Sequence, residues 1–272
     1  MRIEFKKQTL HDILEHNADI RSVLFKFYHG AGDCVSFYCN VLPALAFHFP
    51  NIRFSFLVLP DQAPLFPTVD KDEALYDLVV LVQYPCSEWD RDCTETKAER
   101  CLRVEMGLPD EVQTDIYHLP FTFGSPLVGC HFFSTSCEAV SCREDIAKGI
   151  WDSILRAGLI PIDTHFNHEG ARYENHPFPF VNRSVDDPAI KPSIGLCDGL
   201  IASCSGFVGV SSGNFWLALA ELMPECILYI ETEFPVEKLT REPVHHMKEY
   251  DQSVVDSWLK FVKRRAGRFE NV

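Results

Sequence analysis

An α/β chain built from two parallel-sheet units is what this sequence predicts, and three observations carry the expectation. Short apolar, β-prone runs alternate with segments whose apolar residues recur at helical spacing. Most of these runs end in a turn of glycine, proline or small hydroxyl residues. The alternation occurs twice, before and after a more polar stretch over 86–125, so the expected domains are 1–125 and 126–272.

Each element follows in order. "SVLFKFY" (22–28) reads as a strand running into the turn "HGAGD". The next segment places Val35, Tyr38, Cys39, Leu42 and Leu45 on one helical face, closed by Pro50. "IRFSFLVLP" is a second strand, and "YDLVVLVQYP" is a third whose unbroken apolar run suits a parallel strand buried on both faces. A helix is expected around "TKAERCLRVEMG" in the connecting stretch. The second half opens with strand "LVGCHFF", a break at Ser134-Thr135-Ser136, and a helix from Arg143 striped by Ile146, Ile150, Ile154 and Leu155, with Gly158 as its C-terminal cap. Strand "LIPIDT", a long polar and aromatic loop, helix "SIGLCDGLIAS" and strand "GFVGV" follow. Then come the break Ser211-Ser212-Gly213, helix "NFWLALAELM", strand "CILYIE" and a terminal amphipathic helix from Asp251.

Composition excludes several classes. With 272 residues, 46% hydrophobic and 24% charged, the chain is an ordinary globular protein rather than a disordered one. A net charge of −14 gives no general attraction to nucleic acid or an anionic membrane. No apolar run is long enough to span a bilayer, and the N-terminus lacks a signal peptide's apolar core, so a cytoplasmic protein is expected. Cys34, Cys39, Cys197, Cys204 and Cys226 lie in apolar surroundings and read as reduced core thiols. Cys86, Cys93 and Cys101 lack a C-x-x-C pair, so they read poorly as a zinc site. His165 and His168, near Asp163, read as polar loop residues, or as lining the cleft, more readily than as metal ligands. Lys263, Arg264, Arg265 and Arg268 form a basic helix end that complements the dipole.

In a parallel sheet, ligands sit at the carboxyl ends of strands, where the following helices present N–H groups. Three loops qualify: Gly30–Asp33, Ser134–Ser136 and Ser211–Asn214. Their small residues admit a phosphate to the backbone, and their hydroxyls and amides can donate to it. Equally, serine and glycine are what helix capping requires, and Asp33 is either the cap of a helix beginning near Cys34 or an acid able to take a proton from a substrate hydroxyl. The turn "HGAGD" breaks the G-x-G-x-x-G spacing at Val35, which argues against a dinucleotide-dependent oxidoreductase.

Taken together, "HGAGDCVSFYCNVLPAL", "VGCHFFSTS" and "SSGNFWLALA" resemble, in order and spacing, the ADP-heptose:lipopolysaccharide heptosyltransferase family, and most nearly its autotransporter heptosyltransferase-like branch. The resemblance implies a GT-B glycosyltransferase: two Rossmann-like domains whose sheets face a central cleft. It implies inverting transfer of a sugar, such as heptose, from a nucleotide-diphosphate donor to a hydroxyl of a glycan, a lipid-linked glycan or a protein, with no cofactor and no metal. On this chain Asp33 would be the general base. Gly30, Gly32, Ser134, Thr135, Ser211, Ser212, Gly213 and Asn214 would bind the donor, with Trp216 lining the cleft. The donor's base would stack within the loop 164–191, which supplies Phe166, Tyr173, Phe178 and Phe180. Two features depart from the family. Ser211 and Trp216 stand where it carries aspartate and histidine, and the lysine usual after the first strand of the second half is missing, leaving only Arg143. A second reading is therefore a nucleotide-sugar-binding homologue without transfer activity.

Overall fold

The computed structural model describes residues 2–4, 8–28, 30–60, 62–66, 72–82, 84, 95–109, 125–134, 141–165, 177–181, 194–232 and 234–267. The chain divides into one unit of Met1–Tyr117 with Glu237–Arg241 and another of His118–Val236 with Glu242–Val272. Nothing in the spacing of residues marks 237–241 as part of the first unit. There the Arg241 guanidinium donates to both carboxylate oxygens of Glu99, at 2.8 and 2.7 Å.

The first unit holds four parallel strands in the order β1-β4-β2-β3: β1 Arg2–Glu4, β2 Ser22–Lys26, β3 Arg53–Leu57 and β4 Leu78–Leu81. β2 is central, pairing Val23 with Phe54 on one side and Leu24 with Val79 on the other. Both faces of β2 are covered, so Val23, Leu24 and Phe25 are all buried. α1 (Leu10–His16) carries a capping box between Thr9 and Asp12. The helix after β2 starts at Ala31, earlier than expected, as α2 (Ala31–Ser36). It passes through a π-turn over Phe37–Val41 and continues as α3 (Leu42–His48). Pro43 explains the irregular turn: it has no N–H to return to the preceding turn, and Leu42 N–H instead reaches Phe37 O. α4 (Lys97–Val104) has a second capping box, Thr96 with Glu99.

The second unit holds five parallel strands in the order β6-β5-β7-β8-β9: β5 Leu127–His131, β6 Ile160–Asp163, β7 Gly206–Gly209, β8 Ile227–Ile230 and β9 His245–Met247. Helices α5 (Glu144–Arg156), α6 (Ile194–Ala202), α7 (Gly213–Glu221) and α8 (Gln252–Ala266) complete it. Ile146, Ile150 and Ile154 of α5 join Val208, Leu228 and Trp258 in one core. Leu155 was expected in that stripe but is 52% exposed, because it falls outside the arc that faces the sheet. Gly158, at φ +77°, ends α5 as expected. Arg265 is buried rather than part of a solvated basic end, and burial pushes its guanidinium below its ordinary value. Among the described residues, no helix is long and apolar enough to cross a membrane.

Two half-buried carboxyls make stability depend on pH. Burial raises Asp198 of α6 to about 6. Burial, with the Asp198 charge second, raises Glu221 of α7 to about 7. A raised carboxyl holds its proton more tightly folded than unfolded, so its contribution is complete below the ordinary value of 4.5 and is lost as pH climbs through about 7. Discounted for partial exposure, Glu221→Gln should stabilise the protein by about 1 kcal/mol at pH 8 and by nothing at pH 4. Urea titrations at the two pH values check this, and a variant no more stable than its parent at pH 8 contradicts it.

Candidate functional site

In the second sheet β6 lies on one side of β5 and β7 on the other, so the chain reverses its winding between β5 and β7. A doubly wound sheet offers its ligand crevice outside the carboxyl ends at such a point. Here that edge carries His131 at the end of β5, Ser134 beyond it, and the Ser211–Gly213 turn between β7 and α7. Gly209 allows β7 to run close by: a Cβ there would sit 2.9 Å from the carbonyl oxygen of His131.

The turn differs from those helix starts whose N-cap side chain could cap and does. Thr9, Thr96 and Asp251 each accept from the first-turn N–H groups of their helices. Ser212 holds the N-cap position of α7 in an extended conformation but makes no side-chain cap. Its Oγ is buried with no hydrogen-bond partner among the described residues. The expectation that this serine merely caps its helix is thus not met. What remains is a hydroxyl without a partner beside first-turn N–H groups that have no acceptor inside the helix, at the positive end of the helix dipole. Ser211 is bonded to Tyr229, whose hydroxyl also donates to Phe234 O at 2.7 Å.

The other expected donor residues fall out differently. Ser134 is buried beyond β5, and Thr135 lies outside the described residues. The Asn214 side chain turns inward and is fully buried, its Nδ2 donating to Thr164 O, to Thr164 Oγ1 at 3.2 Å and to His131 Nδ1 at 3.0 Å. Its Oδ1 is buried with no partner among the described residues, and its backbone N–H is the donor left for a diphosphate. Trp216 is 5% exposed and packs edge-on to Phe215, which makes it core rather than the wall of an open surface. Of the loop expected to stack a base, Phe178 is buried, Phe180 half-buried, and Phe166 and Tyr173 lie outside the described residues. Arg143 precedes α5 and is bonded to Asp145 at 2.6 Å and Glu249 at 2.8 Å.

Gly30, Gly32 and Asp33 belong to the first unit. Its sheet reverses between β2 and β4, and the Gly30 turn follows β2 at the corresponding carboxyl edge. Asp33 does not cap α2. Gly30 holds that position, and the Asp33 carboxylate instead lies 3.3 Å from Lys97 Nζ, with 25% of the side chain exposed. Nearby, Lys26 is paired with Glu73, Cys34 Sγ donates to Gln62 Oε1 at 3.2 Å, and Ser36 Oγ bonds Tyr84 Oη at 2.8 Å.

Sequence reasoning missed Lys97, His131 and Thr164, whose neighbours are remote in the chain. His165 is buried, stacked on Phe133 with ring centroids 5.0 Å apart, while His168 lies outside the described residues. Cys101 of α4 is buried and outside any disulfide, as are Cys34, Cys39, Cys197, Cys204 and Cys226 elsewhere, while Cys86 and Cys93 lie outside the described residues.

No protein-family model matches the chain, and no curated protein does. Solved structures match its fold. E. coli ADP-heptose LPS heptosyltransferase II has a TM-score of 0.59 at 12% identity over 92% of this chain and 100% of that one. The iron-containing dodecameric glycosyltransferase TibC of enterotoxigenic E. coli scores 0.58 at 15% identity, over 88% of this chain and 66% of its own, so the present chain spans about two thirds of TibC. The E. coli heptosyltransferase WaaC with ADP-2-deoxy-2-fluoro heptose scores 0.55 at 15% identity, over 89% and 99%. The fold is therefore that of the GT-B heptosyltransferases, as the sequence motifs implied.

Proposed function

We propose that this chain is an inverting glycosyltransferase that moves a sugar, heptose in the first instance, from a nucleoside-diphosphate donor to an acceptor hydroxyl in the cytoplasm. The observation that carries the reading is Ser212, which stands at a helix start without capping it. The donor diphosphate takes the place of the missing cap, held by Ser212 Oγ and the first-turn N–H groups of α7. Heptosyltransferase neighbours of the same fold that bind ADP or ADP-heptose support the choice of donor.

In the reaction Asp33 takes the proton from the acceptor hydroxyl as its oxygen attacks the donor's anomeric carbon on the side opposite the leaving diphosphate. The bond from that carbon to the β-phosphate oxygen breaks, and the nucleoside diphosphate leaves with the electron pair. Charge grows on the leaving diphosphate at the positive end of α7, which stabilises it in place of a divalent cation. Lys97 orients the Asp33 carboxylate and balances its charge. The acceptor is a glycan, a lipid-linked glycan or a protein, and nucleic acid has no part in the reaction.

One observation favours the second reading, a module that binds nucleotide sugar without turnover. Arg143, the cation nearest in sequence to the missing lysine, is bonded to Asp145 and Glu249. A thermal-shift screen of ADP-, GDP- and UDP-sugars, followed by assay of sugar transfer in chelator, separates the two. One nucleotide sugar should raise the melting temperature by mass action, and transfer should persist without metal. Binding without product supports the module, and no response to any donor contradicts both readings.

A further inference from the structure

Beneath the Ser-Ser-Gly turn, the ends of three elements meet on one side chain. Asn214, in the first turn of α7, donates through Nδ2 to Thr164 O and Thr164 Oγ1 just past β6 and to His131 Nδ1 at the end of β5. The proton positions in this knot follow from chemistry. A carbonyl oxygen only accepts, so the atom facing Thr164 O is the amide nitrogen, not Oδ1. Thr164 Oγ1 donates to Cys130 O at 3.2 Å and so is free to accept from Asn214. His131 Nδ1, facing the same NH₂, must then be the unprotonated ring nitrogen, which puts the proton on Nε2.

We infer that Asn214 is a positioning residue: it fixes the carboxyl ends of β5 and β6 against the start of α7 and holds His131 as the neutral Nε2–H tautomer. A proton added to His131 Nδ1 would point at the amide hydrogens. Turning the amide over to relieve that clash would set Oδ1 against Thr164 O, two acceptors in contact. Protonation of His131 therefore loosens the tie. The titratable groups around the knot are His165, stacked 6.2 Å from His131, and Cys197 on α6, which donates to Thr164 O at 2.9 Å, while Asp163 at the end of β6 accepts from His165 N–H and stands in register with Cys130 rather than His131. The Asn214 NH₂, facing Nδ1, opposes an imidazolium. The start of α7 that Asn214 anchors is the one that the proposed function assigns to the donor diphosphate. The effect on donor binding rests on that reading, whereas the tie itself does not.

The test uses the full-length ¹⁵N-labelled chain. The His131 ring nitrogens should report Nε2 protonated and Nδ1 accepting, and in Asn214→Leu the midpoint of the His131 titration should rise by roughly half a pH unit or more. ADP titrations form the second arm. Asn214→Leu should weaken ADP binding about tenfold. His131→Asn, whose Oδ1 takes the place of Nδ1 and accepts from Asn214 at any pH, should keep the parent's affinity at pH 7.5 and flatten its decline toward pH 5.5. That flattening is a response that loss of packing alone would not give. A proton on Nδ1, or an unmoved midpoint, overturns the tie. An intact tie with ADP binding indifferent to both substitutions overturns its positioning role. If the parent chain binds no ADP at all, the donor reading fails while the nitrogen spectra still decide the tie.

Discussion

Asp33→Asn should lower turnover about 10²- to 10⁴-fold, the range a positioned general base contributes. Asparagine keeps the size and planarity of the carboxylate but cannot take a proton from the acceptor. The ion pair to Lys97 at 3.3 Å is lost with the charge, yet a partly exposed pair contributes only about 0–1 kcal/mol, so the fold should survive. Donor affinity should also hold, because the residues proposed to grip the diphosphate belong to the second unit. The expected signature is a fall in kcat with the dissociation constant for the nucleotide and the melting temperature nearly unchanged. Initial rates with saturating donor measure it, and unchanged turnover would remove Asp33 from the mechanism.

Trp258→Ala should cost about 3–5 kcal/mol of folding stability. Trp258 on α8 is fully buried among Val208, Leu228, Ile150 and Val262. Its indole N–H donates to Cys226 O at 2.8 Å, so truncation opens a large cavity and also strips a buried carbonyl of a partner. Trp258→Phe fills most of the volume and should recover about half of the loss, leaving the missing hydrogen bond and the smaller ring to account for the rest. Chemical denaturation of the three proteins gives the comparison. A Trp258→Ala loss below about 1 kcal/mol would mean that the core relaxes around the gap.

Much of the architecture was legible because the strands β2 to β8 are short runs rich in apolar residues and broken by small ones, the most hydrophobic of them, β4, β7 and β8, suited to the inside of a parallel sheet. β1, with one apolar residue in Arg2–Glu4, and β9, His245–Met247, carry no such signal and are strands only because a neighbour pairs with them. The residues of the Ser211–Gly213 turn were legible as a candidate phosphate cradle, but the missing cap was not, since the composition of a capping turn and of a ligand-binding turn is the same. The Asp33–Lys97 pair joins residues 64 apart, and the tie of Asn214 to Thr164 and His131 spans 50 and 83 positions. Spacing along the chain holds no trace of such contacts. Helix geometry alone also left open which of the residues after Gly213 look outward, and it is the tertiary packing that turns Asn214 and Trp216 inward.

Calorimetric titration of ADP into the parent protein and Ser212→Ala, both in chelator, tests most directly whether the uncapped start of α7 is an anion site. The account predicts saturable binding to the parent, weakened about tenfold or more when the hydroxyl is removed, as for a hydrogen bond to a charged group. Equal affinity in the two proteins, or binding that appears only when a divalent metal is restored, would contradict it.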